Sequence, residues 1–358
     1  MTEKVLVAMS GGVDSSVAAL LLSRAGYDCA GAMMKLYENE DIGESIEKSC
    51  CSLADRGDAE TVAAKLDIPF YVFNYAEQFR GGVMDGFVDD YMCGRTPNPC
   101  IECNRLLKFG SLFERADAMR CRYIATGHYA RIERDGERYL LKRGVDASKD
   151  QSYVLYFLTQ EQLARTLFPL GGYTKAEIRA LAAENGFINA DKRDSQDICF
   201  VPDGDYAAFI EQYTGKPLKH GRFTDTDGRD LGEHQGVARY TIGQRRGLGV
   251  SSDARLYVNE LDAERNRVVL GSERGILRKT LTAREINLIP FDRLDAPMRV
   301  TAKIRYAHAA QPATVEQVGE DLLRVVFDDE QRAITNGQFV VLYDGDVVIG
   351  GGKINGSE

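Results

Sequence analysis

Val5-Leu6-Val7-Ala8-Met9-Ser10-Gly11-Gly12-Val13-Asp14-Ser15-Ser16 carries the pattern on which the fold of this chain turns. Residues 4–9 form an apolar run of the kind found in strands buried on both faces, and 15–25 follow as an Ala/Leu-rich helix stopped by Gly26. Between them, two glycines let the backbone turn tightly and bring its N–H groups close to phosphate oxygens. The N-terminus of the following helix adds unpaired N–H groups and a partial positive charge. Ser10, Ser15 and Ser16 offer hydroxyl donors, and Asp14 offers a carboxylate for Mg²⁺. The loop lacks the Gly-Lys-Ser/Thr ending of a Walker A motif. A nucleotide-phosphate site of a different type is expected.

Working outward, strands at 29–35, 70–75 and 123–129 alternate with helical patterns at 53–66 and 105–119. This alternation predicts an α/β domain whose parallel sheet is covered on both faces, with ligands at the C-terminal strand ends. Segment 94–104, with Pro97 and Pro99, is expected to be an exposed loop, and 131–143 a hairpin turning at Asp135-Gly136. From 215 to 249, glycine and turn signals imply a small irregular or mixed domain. Beyond about Leu281 the runs 300–306, 314–318, 322–327, 339–343 and 347–354 imply a small β-barrel or sandwich. The expected domains are 1–204, 205–280 and 281–358.

A chain of 358 residues with 44% hydrophobic and 28% charged residues has the composition of a soluble protein of two or three domains. No apolar run approaches the roughly 20 residues that span a bilayer. The opening MTEKVLVAMSGG lacks the features of a secretory signal, so no membrane association and a cytoplasmic location are expected. The net charge of −9 argues against a broadly basic nucleic-acid binder, though a local basic surface suffices for phosphate contacts.

In a reducing compartment the eight cysteines are expected to be thiols. Cys100 and Cys103 form a C-x-x-C pair within Thr96-Pro97-Asn98-Pro99-Cys100-Ile101-Glu102-Cys103-Asn104, and no second such pair completes a four-ligand zinc site. Cys199 lies in Asp194-Ser195-Gln196-Asp197-Ile198-Cys199-Phe200. A thiolate is a strong nucleophile once its pKa is lowered, and a second cysteine can carry a persulfide. Cys29, Cys50, Cys51, Cys93 and Cys121 read as buried small hydrophobes.

The stretch Ser10–Ser16 matches the SGGxDS loop of the PP-loop ATP pyrophosphatases (adenine nucleotide alpha hydrolase-like), which implies ATP cleavage between the α and β phosphates. Further motifs follow in order: Ala125-Thr126-Gly127-His128-Tyr129-Ala130-Arg131, Lys149-Asp150-Gln151-Ser152-Tyr153 and Tyr240-Thr241-Ile242-Gly243-Gln244-Arg245-Arg246-Gly247. With these the chain resembles, from Val5 to about Ile354, the tRNA-specific 2-thiouridylases, bacterial enzymes that convert the wobble uridine of certain tRNAs to 2-thiouridine. The resemblance implies a PP-loop α/β domain, a small central domain and a C-terminal β-barrel.

Carried over residue by residue, the family pattern makes Cys103 the nucleophile and Cys199 the persulfide carrier. It assigns ATP contacts to Ala8, Met9, Ser10, Gly11, Gly12, Val13, Asp14, Ser15, Met34 and Gly127. Asn98, Pro99 and Cys100 would face the target base, while His128, Lys149, Asp150, Gln151, Arg305, Tyr306 and Gln338 would contact tRNA. Implied partners are tRNA and a sulfur donor, either a cysteine desulfurase or a sulfur-relay protein. Many members carry aspartate where this chain has Cys100. The alternative reading is therefore that Cys100, Cys103 and Cys199 hold a [4Fe–4S] cluster with one iron open. Two other classes compete. A PP-loop ligase for a small molecule gives Cys103 and Cys199 no role, and a nucleotide or iron–sulfur sensor needs no turnover.

Overall fold

The computed structural model describes residues 2–38, 42, 53–192 and 198–358. They form two compact units, one of 1–83, 100–204 and 346–348, the other of 84–99, 205–345 and 349–358.

In the first unit, Val5, Leu6 and Val7 are fully buried in β1 (Lys4–Ala8), as a strand covered on both faces requires. It pairs in parallel with β2 (Asp28–Lys35) and with β4 (Tyr123–Ala125). β3 (Phe70–Asn74) and β7 (Thr166–Leu167) extend the sheet in the order β3-β2-β1-β4-β7. The chain thus grows outward from β1 to one side and resumes on the other with β4. The crevice between the C-terminal ends of β1 and β4 is the topological switch point, where ligands of such sheets bind. Helix Val13–Arg24 buries nearly all its circumference; Ala18 and Ala19 let it sit closely against the sheet and against helix Lys175–Glu184. The expected hairpin is present as β5 (Ala130–Asp135) and β6 (Arg138–Arg143).

Two expectations are corrected. Segment 94–104 is not an exposed loop throughout: Pro99–Cys103 is helical and continues as wider turns over Asn104–Ser111 into helix Leu112–Ala118. Proline is compatible with a first helical position because its missing N–H would have no partner there. Pro97, Pro99, Ile101 and Cys103 are all buried. Among the five cysteines read as buried, Cys29 and Cys121 are, but Cys93 caps the C-terminus of helix Asp85–Met92 and is exposed. Cys50 and Cys51 lie outside the described residues.

In the second unit, β8 (Gly221–Asp225), β9 (Asp230–His234), β10 (Tyr257–Asp262) and β11 (Arg267–Gly271) form a mixed sheet in the order β10-β11-β8-β9. Phe223, Val258, Val268 and Leu270 form its core. The remaining strands are β12 (Leu277–Leu288), β13 (Met298–Lys303), β14 (Gln311–Gly319), β15 (Leu322–Arg332), β16 (Phe339–Asp344) and β17 (Val347–Ser357). They run in the order β12-β15-β14-β13-β16-β17, and pairing of β12 with β17 closes the barrel. The β region expected from about Leu281 begins with β12, a strand that none of the runs read from sequence covers because Arg, Lys, Thr and Glu break up its apolar residues.

Closure is tight at Leu288↔Gly350. Gly350 has φ +149°, and a Cβ there would stand 2.0 Å from the Asn287 carbonyl oxygen. Gly350→Ala is therefore expected to lower unfolding free energy by at least about 2 kcal/mol through strain and overpacking. Urea denaturation checks this, and an unchanged midpoint would refute the tight seam.

Candidate active site

The loop after β1 is built from its own side chains. Ser15 Oγ accepts from Ser10 N (3.1 Å) and donates to the Gly12 carbonyl (3.0 Å), which also receives Ser16 Oγ (3.0 Å). Gly11 has φ +78°, and a Cβ there would lie 2.2 Å from the Asp55 carbonyl oxygen, so both conformation and space demand glycine. From outside, Asn189 Nδ2 donates to the Gly11 carbonyl and to Ser16 Oγ, both at 2.9 Å. Lys192 Nζ also reaches the Gly11 carbonyl (3.3 Å) and binds Asp55 and Asp58. Burial disfavours the Lys192 ammonium, but its hydrogen bonds to these two carboxylates outweigh that and raise its pKa.

The turn after β4 meets this loop. A Cβ at Gly127 would stand 2.9 Å from Ser15 N and 3.0 Å from the Asp14 carbonyl carbon, so only glycine lets the two crossovers approach this closely. Two residues on, Tyr129 OH donates to Asp14 Oδ1 at 2.7 Å. Gln151 secures Tyr129 by a reciprocal pair: its Oε1 accepts from Tyr129 N and its N donates to the Tyr129 carbonyl, both at 3.0 Å. Asp150 caps its own loop, accepting from Ser152 N (3.0 Å) and Gly144 N (3.3 Å). Lys149 is half-buried beside them.

Sequence reasoning missed Lys175. Its Nζ lies 2.8 Å from each oxygen of Asp14, and the residue is 9% exposed. A signal was present. Thr174 and Glu177 form a capping box that starts helix Lys175–Glu184. A lysine in the first turn opposes the helix dipole, so it calls for an external anion, and Asp14 is that anion.

Met34 lies near the end of β2, half-buried. His128 is buried: its Nδ1 shares a 2.7 Å hydrogen bond with Thr126 Oγ1, and its ring packs against Phe109 and Phe168. Burial, helped by the Lys108 ammonium, holds its pKa well below 6.5.

Helix Pro99–Cys103 places Cys100 exposed and Cys103 buried. Cys199 is half-buried; its carbonyl accepts from Tyr37 OH (2.8 Å), and the next residue, Phe200, packs edge-on against Phe79. Residues 193–197 of that motif lie outside the described residues. Among the described residues, no group of three or more His, Cys, Asp or Glu side chains is gathered so as to hold a metal ion, and Cys100, Cys103 and Cys199 are among those described. The structure thus gives the cluster reading of these three thiols no support. Asn98, Pro99, Arg305, Tyr306 and Gln338 belong to the second unit. There Arg305 Nη2 donates to the Arg332 carbonyl (3.0 Å) and Tyr306 is exposed beneath the Lys303 ammonium.

A pH dependence follows from His128. As pH falls below about 6.5 the unfolded chain takes up a proton that the folded chain refuses, so stability drops below that pH and is fully present above it. His234 and His308, also lowered by burial, act in the same direction. The urea midpoint of His128→Gln is expected to fall less steeply than wild type between about pH 7 and pH 5.5. Equal slopes would mean that His128 is not held neutral.

Comparison with known proteins agrees with this arrangement. A family model described as the tRNA methyl transferase HUP domain matches residues 3–203. The tRNA methyl transferase PRC-barrel domain matches 207–272, and the aminomethyltransferase beta-barrel domain matches 278–354. The tRNA-specific 2-thiouridylase MnmA of Clostridioides difficile (strain 630) is 50% identical over 359 residues, covering 100% of this chain and 99% of its own. That of Acetivibrio thermocellus is 51% identical over 98% of this chain and 99% of its own, and that of Clostridium kluyveri 48% over 99% and 100%. No helix among the described residues is long and apolar enough to cross a membrane. With a PP-loop sheet, a PRC-barrel and a closed β-barrel in this order, and these relatives along its full length, the chain belongs to the tRNA-specific 2-thiouridylase family.

Proposed function

We propose that this chain is an ATP-dependent tRNA-uridine 2-sulfurtransferase. It activates the 2-oxygen of the wobble uridine by adenylation and replaces it with sulfur held as a cysteine persulfide. The observation that carries this reading is the Ser10–Ser16 loop at the switch point, with Lys175 seated on Asp14, in a family member that has both Cys103 and Cys199.

In this reading the ATP phosphates lie along Ala8, Met9, Ser10, Gly11, Gly12, Val13, Asp14 and Ser15, with the nucleoside toward Met34 and Gly127. The uracil 2-oxygen attacks the α-phosphorus, the α–β bridging bond breaks, and pyrophosphate leaves. Backbone N–H groups of the loop and helix start, with the Lys175 ammonium, stabilise the charge that gathers on pyrophosphate. A carboxylate offers about four acceptor sites; Tyr129 and Lys175 take three on Asp14, so one remains with which Asp14 could help hold a Mg²⁺ ion. When bound, that ion would neutralise phosphate charge.

Adenylation leaves an electrophilic C2 with AMP as leaving group. The terminal sulfur of a Cys199 persulfide attacks C2 directly and AMP departs; Cys103 thiolate then attacks the Cys199 sulfur, releasing 2-thiouridine and forming a Cys103–Cys199 disulfide. Alternatively, Cys103 first frees the terminal sulfur as hydrosulfide, forming the same disulfide, and hydrosulfide attacks C2. Either route requires an external dithiol to reset the enzyme and a cysteine desulfurase or sulfur-relay protein to reload it. Asn98, Pro99 and Cys100 face the base, which must leave the anticodon stack to be reached. Arg305, Tyr306, Lys149 and Asp150 supply tRNA contacts. The burial of His128 favours a supporting role for that residue, and a cytoplasmic location suits the thiol chemistry.

Two measurements test the reading. With unmodified tRNA, ATP and a desulfurase fed labelled cysteine, Cys103→Ala and Cys199→Ala are each expected to lose at least about a thousandfold in thiolation, while iron-free wild type stays active. A requirement for iron together with Cys100, Cys103 and Cys199 would replace the persulfide by a cluster. Lys175→Met is expected to slow tRNA-stimulated pyrophosphate release by about 10²–10³-fold. A wild-type rate in that variant would remove Lys175 from the chemistry.

A further inference from the structure

Arg95, Thr96 and Pro97 immediately precede the segment read as facing the target base, and within the second unit their backbone is fastened to the β-barrel. Thr96 N donates to the Asn336 carbonyl at 2.9 Å. Gln338 Nε2 donates to the carbonyls of both Thr96 (3.1 Å) and Pro97 (3.0 Å). Gln338 is itself locked to β17: the Ile354 N–H donates to its carbonyl at 2.7 Å, and Gly337 N donates to the Ile354 carbonyl at 3.0 Å.

A second tie holds Arg95. Asp90, 6% exposed, accepts from Arg95 Nε at 2.6 Å on one oxygen and from Lys353 Nζ at 2.9 Å on the other. The Arg95 N–H donates to the Asp90 carbonyl at 2.8 Å. The fit between loop and barrel turn leaves no slack. Gly337 has φ +90°, and a Cβ there would stand 3.0 Å from Arg95 Cβ and 3.1 Å from both Thr96 N and O.

A carboxamide nitrogen carries two hydrogens. At Gln338 both are used on protein carbonyls, which accept only, so this nitrogen has none left for RNA. We infer that Gln338 is a positioning residue: it fixes the Thr96-Pro97 backbone so that Asn98–Cys100 is presented in one geometry to the substrate base. This rests on the sulfur-transfer reading above and gives Gln338 a task other than the tRNA contact implied by resemblance.

Gln338→Glu keeps the size of the side chain but turns the donor into a second acceptor facing two carbonyls, and Gln338→Ala removes it. Gly337→Ala displaces the same loop from the other side without touching the glutamine. All three are expected to lower kcat for tRNA thiolation by about tenfold or more, since small misplacements of reacting groups are costly. The tRNA dissociation constant should change by less than about threefold, and the Thr96 amide should lose hydrogen-exchange protection. A tRNA affinity loss of tenfold with kcat retained would overturn the proposal in favour of a direct RNA contact. Unchanged exchange at Thr96 in all three variants would overturn it independently. A wild-type protein that thiolates no tRNA would sink the underlying function instead, and the exchange measurement would still decide whether the loop is held.

Discussion

The carboxylate of Asp14 is the point to which the candidate site is tied. It sits in a loop suited to a polyanion, where a bare negative charge would repel the phosphates that backbone N–H groups attract. The Lys175 ammonium across both its oxygens and the Tyr129 hydroxyl on one convert it from an obstacle into an anchor. The same contacts join three separate stretches of chain: the crossover after β1, the turn after β4 and the helix begun by Thr174. Gln151, by clasping Tyr129, extends the tie to a fourth. Geometry at the loop therefore depends on residues spread over more than 160 positions of sequence.

The phosphate loop and the parallel sheet were legible because their signals are local: an apolar run, two glycines and an Ala-rich helix follow one another without interruption. Gly127 was assigned only by resemblance, and the structure supplies its physical reason, a backbone approach to Ser15 that no side chain would allow. Asn189 and Lys192 were illegible because what identifies them is a partner far away in sequence. Lys175 carried a local sign, a lysine in the first turn of a capped helix, but not the identity of its distant partner. The prolines at 97 and 99 misled for a different reason. Proline ends helices from within but is accepted at their start, and sequence alone did not show which side of the boundary Pro99 occupies.

The detour of residues 84–99 out of the first unit has a comparable cause. Phe87 and Tyr91 pack edge-on and in parallel against Tyr206, Phe87 also meets Phe209, and Asp90 pairs with Lys353. These are contacts at separations of more than 110 residues, so the composition of the segment gives no hint of where it belongs. The acidic balance of the whole chain was likewise a poor guide to the site, where Lys175 and Lys192 sit partly buried among carboxylates.

Helix Pro99–Cys103 turns one thiol outward and buries the other. An alkylating reagent added to the intact enzyme will meet Cys100 and Cys93 before Cys103, so the most rapidly labelled sulfur is not the one assigned the attack. Among the described cysteines, chemical footprinting thus ranks sulfurs by accessibility rather than by importance, and it becomes informative about Cys103 once Cys93, Cys100 and the half-buried Cys199 have been replaced.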